Sequence, residues 1–413
     1  MKDFDVMVLG AGMVGIATAL HLLERGRSVA LVDRRGPAEE TSFGNAGLIQ
    51  AEAVVPYAFP LSLPVVLGVI AGRRAEARLS WPALPAVAPW LLAYARHGTR
   101  AMIERTAQAN LPLVRRAVAE HDRLVERAGA GHLVRRTGYA RLYRSEAAME
   151  RAVKADEAVR ERYGIAFEPW SADRLRAEEP HVSDAAVGAI HVPEPLHLVD
   201  PSDLGKAYAA LFAREGGVLA TADAATLRRE GAVWRVDGAE PVRAAEAVVA
   251  LGPWSGDLLR RLGTRVPLGI KRGYHQHYGA AGNAVLNRLV VDEANGIVIG
   301  PNRRGIRLST GAEFARRDDP PTPVQLARAE PLARELFPLG EPLSPTPWLG
   351  ARPCLPDLVP MIGAVPGSQG LWANFGHQHL GLTLGPATGR LLAQMMTKET
   401  PFTDPAPYRV DRF

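Results

Sequence analysis

The sequence predicts an α/β fold in two domains. Three observations lead to it. A strand, a glycine turn, a helix, a second strand and an acidic residue follow one another within residues 4–33. Further strand-like runs come much later, at 218–227, 233–236 and 247–251, behind a helical run at 204–215. The chain is also 413 residues long, more than one hydrophobic core usually serves.

Phe4 to Leu9 is apolar and of strand length, and Gly10-Ala11-Gly12-Met13-Val14-Gly15 follows it directly. The helical stretch this opens runs to Arg25 and stops at Gly26. Ser28 to Val32 is the second strand, ending in Asp33. The chemistry of a dinucleotide explains the order. Gly10 permits a tight turn, Gly12 lets the backbone approach a pyrophosphate, and Gly15 lets the helix pack on the strand. The helix beginning at Met13 and Val14 offers free N–H groups and a partial positive charge to phosphates. Asp33 sits where a carboxylate accepts hydrogen bonds from a ribose diol. Arg34 and Arg35 either touch the adenosine ribose and phosphate or face water. The glycine pattern alone is weak, but both strands and the acid surround it. The segment therefore reads as a Rossmann-like dinucleotide site, with FAD and NAD both open.

Thr41-Ser42-Phe43-Gly44-Asn45-Ala46-Gly47-Leu48-Ile49 comes next. A nicotinamide domain would normally run into its crossover helix here. A polar, glycine-rich loop instead suits a chain that wraps an extended cofactor, and it favours a flavin.

Composition excludes other classes. The net charge is +5, but the arginines are scattered through helical stretches rather than gathered in a stripe, so a nucleic-acid partner is not expected. The single cysteine, Cys354, excludes an internal disulfide and fits a reducing cytoplasm. No signal peptide is expected ahead of the first strand. Ala53 to Gly72 is uncharged and long enough to span a bilayer, yet Pro56, Pro60 and Pro64 interrupt it. It reads as buried loop and short helices, with peripheral contact on the inner face of a membrane as the other reading. Trp81 to Tyr94 is a similar patch. The histidines have no ligand spacing with carboxylates, so no metal is expected, and no serine nucleophile elbow is present.

Five blocks in order resemble the FAD-dependent D-amino acid oxidase superfamily. They are the Ser42–Ile49 loop; Leu198-Val199-Asp200-Pro201 with its helix and Gly216-Gly217; Ala250-Leu251-Gly252-Pro253-Trp254-Ser255; Gly350-Ala351-Arg352-Pro353; and Gly376-His377-Gln378-His379-Leu380-Gly381-Leu382-Thr383. The first and last are most similar to those of bacterial D-amino acid dehydrogenases. The resemblance implies a two-domain flavoprotein with a mixed α+β substrate domain. It implies FAD contacts at Thr41, Ser42, Asn45, Ala46, Gly47, Leu48, Ala224, Ala250, Gly252, Trp254, Gly381, Leu382 and Thr383, besides the first fingerprint. Cys354 does not stand in a matching attachment context, so FAD is expected to be non-covalent.

The resemblance also implies the reaction. A D-amino acid is deaminated oxidatively by hydride transfer from Cα to flavin N5, giving an imine and then a 2-oxo acid. Electrons pass to a quinone, another carrier or oxygen. Arg352 is the expected carboxylate anchor, because its planar fork binds a carboxylate through two parallel bonds. His379 is a second carboxylate contact, His377 lines the pocket, and Tyr274 bounds it, with alternation sending His275 and His277 to the opposite face. No acid–base residue is required if the amine arrives neutral. The FAD domain is expected from 1–51, 196–267 and 346–413, and the substrate domain from 52–195 and 268–345. A D-imino acid such as D-proline or cis-4-hydroxy-D-proline, a glycine/sarcosine-type oxidase, and a non-catalytic FAD-binding protein remain alternatives.

Overall fold

In the computed structural model, residues 3–72 and 74–413 are described. The first sheet has seven strands and is centred on Asp3–Leu9, which pairs in parallel with Val29–Asp33 on one side and Val242–Val249 on the other. Leu371–Phe375 continues it in parallel beyond Val242–Val249. Val218–Glu230 runs parallel to Val29–Asp33 through its first residues, then pairs antiparallel with Val233–Gly238. Because the central strands are buried on both faces, they read as unbroken apolar runs such as Val6-Met7-Val8-Leu9, all fully buried.

One face of this sheet carries helices Met13–Leu23, Pro201–Arg214 and Gly381–Met396, packed in one core with helix Arg100–Ala128. The apolar period over 101–128 is that of a helix. It packs on the helix layer of the first sheet, where His121 Nε2 donates to Leu382 O (2.9 Å) and Nδ1 lies 3.0 Å from the Tyr208 hydroxyl.

The second sheet has eleven strands, and the long strand Gly269–Ala280 organises it. Its even-numbered side chains face a separate core under helix Val324–Leu336, where Tyr274 and Tyr278 pack. Arg272, 1% exposed, is ion-paired there with Glu313 (2.7 Å). Residues 346–354 lie in the stretch expected to rejoin the first domain. Most of that stretch, strand Trp348–Cys354, pairs along its whole length with Gly269–His275.

The apolar stretch expected to be buried loop and short helix does contain a short helix, Leu63–Ile70, but none of its residues is buried. Leu61, Leu63, Leu67, Trp81 and Leu92 are among the most exposed large apolar side chains. The prolines keep the segment short, and it forms a wall over an open mouth rather than a layer between two sheets. Among the described residues, no helix is long and apolar enough to cross a membrane.

Candidate active site

The parallel strands of the first sheet all end on the same edge, and the loops that follow them meet there. One cavity of about 1220 Å³ opens at this edge and continues to the second sheet. Small-molecule sites usually enclose about 300–1,000 Å³, so this one has room for an extended ligand and a second, smaller one. All the sequence-predicted site residues border it except Gly15, Arg35, Gly47 and Thr383.

The end nearest the first fingerprint is held by backbone. Gly10 has φ +104°, and a Cβ there would lie 2.5 Å from Ala250 O. A Cβ on Gly15 would lie 1.8 Å from Gly10 O, so Gly15 acts by packing helix against turn rather than by facing the cavity. Ala11 N donates to Asp33 Oδ2 (2.8 Å), while Arg35 N and Gly36 N donate to Oδ1. The carboxylate is therefore fixed at the strand end and borders the cavity. The Ser42 hydroxyl accepts from Met13 N (3.0 Å) at the start of the first helix. Arg34 lies over the Trp254 ring and pairs with Glu40. Arg35, 61% exposed, pairs with Glu40 in solvent.

The Thr41–Leu48 loop fastens the three contributing parts together. Thr41 Oγ1 donates to Ala351 O (3.0 Å), in the strand that carries Arg352. Asn45 Oδ1 accepts from Gly47 N, and its Nδ2 donates to His379 O (3.1 Å). Thr383 Oγ1 donates to Leu48 O and accepts from Gln50 N, which explains why it braces the wall without bordering the cavity. Phe43, His275 and Trp348 stack, with His275 and Trp348 centroids 4.8 Å apart. Ala46, Leu48, Ala224, Ala250 and Gly252 supply wall at van der Waals distance from the same space.

At the other end, Lys271 and Gly273 of Gly269–Ala280 line the cavity. Residues directly opposite in an antiparallel pair share a face. Lys271 is opposite Arg352, Gly273 opposite Gly350, and His275 opposite Trp348. Arg352 lies across Gly273, where a Cβ would come within 2.5 Å of its Nη2. Its guanidinium donates to Gly311 O (2.8 Å) and Thr310 O (3.2 Å) and has no carboxylate partner among the described residues. Burial lowers its pKa, with no carboxylate among the described residues to offset this. Tyr274 borders the cavity, but its hydroxyl points away from it. It donates to Glu313 Oε2 and accepts from Thr322 N. Tyr274 borders the cavity, as do Lys271 and Gly273 of the odd face, whereas His275 and His277 do not. The even face is taken up by the core under helix Val324–Leu336.

His377 and His379 both border the cavity, and burial drives the pKa of each down to about 3. Both are therefore neutral, hydrogen-bonding groups rather than cations. His377 Nε2 lies 3.0 Å from Thr388 Oγ1. His379 is stacked obliquely on Tyr57, and its buried Nε2 has no partner among the described residues. Gly381 and Leu382 begin the final helix at the cavity wall, so a second helix N-terminus opens on the space, with its first N–H groups unused within the helix.

Sequence reasoning missed Lys271, Tyr57, Tyr94 and Trp348, all of which border the cavity. The run Lys271-Arg272-Gly273-Tyr274 was visible, but which face of it looks inward depends on the sheet's packing. Cys354 also borders the cavity. Burial raises its thiol pKa, and Sγ lies 3.5 Å from Arg352 O.

This arrangement can be compared with known proteins. The family model for FAD dependent oxidoreductases matches residues 5–395. The chain belongs to this family. A D-amino-acid oxidase of Bradyrhizobium diazoefficiens is 31% identical, covering 99% of this chain and 98% of that one. A D-amino acid dehydrogenase of Paramagnetospirillum magneticum is also 31% identical, again over 99% and 98%. The fold matches glycine oxidase from Geobacillus kaustophilus with a TM-score of 0.72 at 22% identity, over the full length of both chains. L-proline dehydrogenase from P. horikoshii matches with a TM-score of 0.74 at 16% identity, over 100% of this chain and 98% of that one. The two-domain flavoprotein fold and FAD as cofactor follow from these matches. The residues present fit the cofactor. Two helix N-termini, the Asp33 carboxylate and a cavity of about 1220 Å³ offer the kinds of phosphate, ribose and ring contacts an FAD needs.

Proposed function

We propose that this flavoprotein oxidises the Cα–N bond of a D-amino acid, with Arg352 holding the substrate carboxylate. One observation carries the reading: a half-buried guanidinium borders the cavity, satisfied on one side by two backbone carbonyls and, among the described residues, without a carboxylate. A buried cation without a counter-ion is costly, and a bound carboxylate relieves that cost. Relatives named as D-amino-acid oxidase and dehydrogenase, alike over nearly the whole chain, favour the D series and an amine as hydride donor.

Bound FAD supplies a two-electron acceptor for a hydride leaving Cα. The protein's own residues bind and orient. Arg352 fixes the carboxylate, Tyr57 and His379 border the space beside it, and the histidines add no further positive charge. The imine that leaves is hydrolysed by water to a 2-oxo acid and ammonia. A cyclic imino acid such as D-proline or cis-4-hydroxy-D-proline offers the same carboxylate and Cα–H.

For the acceptor, helix Leu63–Ile70 is the relevant feature. Val65, Val66 and Val69 line the cavity, whereas Leu63 and Leu67 face outward. An apolar wall continuous with an apolar surface favours a lipophilic carrier such as a quinone, and peripheral contact with a membrane. The test is anaerobic reduction of the bound flavin by D- and L-amino acids, sarcosine, glycine and D-proline, followed by reoxidation with oxygen or a soluble quinone. Rapid bleaching by a D-amino acid and faster reoxidation by the quinone are expected. Bleaching by L-amino acids alone would overturn the stereochemistry, and equally fast reoxidation by oxygen would make it an oxidase.

A further inference from the structure

Among the described residues, Arg352 is not the only cation lining this cavity without a carboxylate partner. Lys271 stands directly opposite it on the adjacent strand, on the same face. Like charges placed so are unfavourable, and half-burying both in the cavity wall without an anion is more so. Yet among the described residues, neither cation has a carboxylate within ion-pairing distance. The Lys271 ammonium rests on aromatic faces instead, 3.9 Å from the Tyr94 ring centroid and 5.7 Å from that of Trp90. Such faces hold a cation in place without neutralising it.

The two cationic heads also diverge. Arg352 crosses Gly273 to reach Gly311 O and Thr310 O. Lys271 leans the other way, toward the Tyr94 and Trp90 helix Leu84–Arg96. The remaining ionisable groups that bear on Lys271 offer no negative charge. Cys354 is a buried thiol held protonated, and His379 is neutral. One carboxylate seated on Arg352 therefore leaves a second, laterally displaced cation still without a counter-ion.

We propose that Lys271 binds a second carboxylate, carried on the side chain of the substrate, so that amino dicarboxylic acids are the preferred substrate class. This rests on the reading of Arg352 as the α-carboxylate anchor. Lys271 is then a specificity-determining residue. Burial brings its pKa down to about 8, so it is mostly charged at neutral pH and a bound anion would keep it so.

Two measurements on the flavin-loaded protein test this. The first is kcat/KM for D-aspartate, D-glutamate, D-asparagine, D-glutamine and D-alanine in the wild type, Lys271→Met and Lys271→Arg. The wild type should favour the better acid over its amide by about tenfold or more. Lys271→Met should lower acid turnover by roughly a hundredfold, mainly through KM, and leave D-alanine within about threefold, while Lys271→Arg recovers part of the loss. Equal losses on acids and D-alanine, or no acid preference in the wild type, would overturn the proposal.

The second measurement is independent of turnover. Titrating the flavin spectrum with succinate and with butyrate should show tighter succinate binding in the wild type, and none of that advantage in Lys271→Met. Succinate no tighter than butyrate would overturn the second carboxylate site. If no amine reduces the flavin but the succinate advantage holds and depends on Lys271, the amino acid reading has failed and the dianion site stands.

Discussion

The two ends of the cavity are built by opposite means. At the fingerprint end, the polar groups are paired within the protein: Asp33 with three backbone N–H groups, Ser42 with Met13 N, and Asn45 with Gly47 N and His379 O. At the far end, among the described residues, Arg352 and Lys271 bring charge without a carboxylate to balance it, and His379 Nε2 has no partner. The difference teaches how one protein holds two ligands of unlike residence. A cofactor that stays is met by a rigid cradle that loses little when filled. A substrate that comes and goes is met by groups whose electrostatic need only the substrate satisfies.

The most severe way to break the comparison is in the cradle. Gly15→Val would drive its Cβ into Gly10 O, and it should give protein without flavin. The ratio of flavin to protein absorbance after purification measures this, and a fully loaded variant would refute the packing role. Arg352→Ala should break only the other end. Flavin content should stay near normal, while kcat/KM falls by roughly 10²–10³-fold, the size of losing a buried charged partner. Arg352→Lys should recover little, since an ammonium cannot span Gly273 with a fork.

Both ends rest on the final helix, and acid should loosen them together. His121, which holds Leu382 O, and His21 are buried and neutral, with pKa values pushed by burial to about 4 and about 3. Their folded pKa values lie below the unfolded one. The stability they contribute is thus fully present above about pH 6.5 and is lost as pH falls toward 4 and 3. At pH 5 this amounts to at most about 2 kcal/mol per histidine. Thermal unfolding of the flavin-loaded protein at pH 7 and pH 5 checks it, and an unchanged Tm would contradict it. The smallest effect should come from Ser42→Ala. Losing its hydrogen bond to Met13 N should weaken flavin binding by about 1 kcal/mol, near tenfold or less in Kd, with substrate KM unchanged. Reconstitution of the deflavinated protein measures it.

Legibility divides along the same line. The cradle could be read from sequence because its parts are contiguous. Gly10, Gly12, Gly15 and Asp33 owe their geometry to a turn and a helix start within one local unit, so residue order carries the shape. The helical run at 101–128 was visible from its period, but not that it would pack on the final helix through His121 and Leu382. Tyr274 shows the limit more sharply. Alternation separates it from His275 whatever the fold, but nothing in the strand says which side faces the core under helix Val324–Leu336.

Residue order by itself therefore determined the dinucleotide turn, the acid at its strand end, and the presence of an arginine in a family-like segment. Only the tertiary structure decided that Lys271 stands opposite Arg352, that Tyr274 turns its hydroxyl away, and that helix Leu63–Ile70 is exposed. The physical reason is range. Backbone turns and helix starts are set by neighbours in the chain, whereas charge pairing across a sheet depends on strand register between residues eighty or so positions apart.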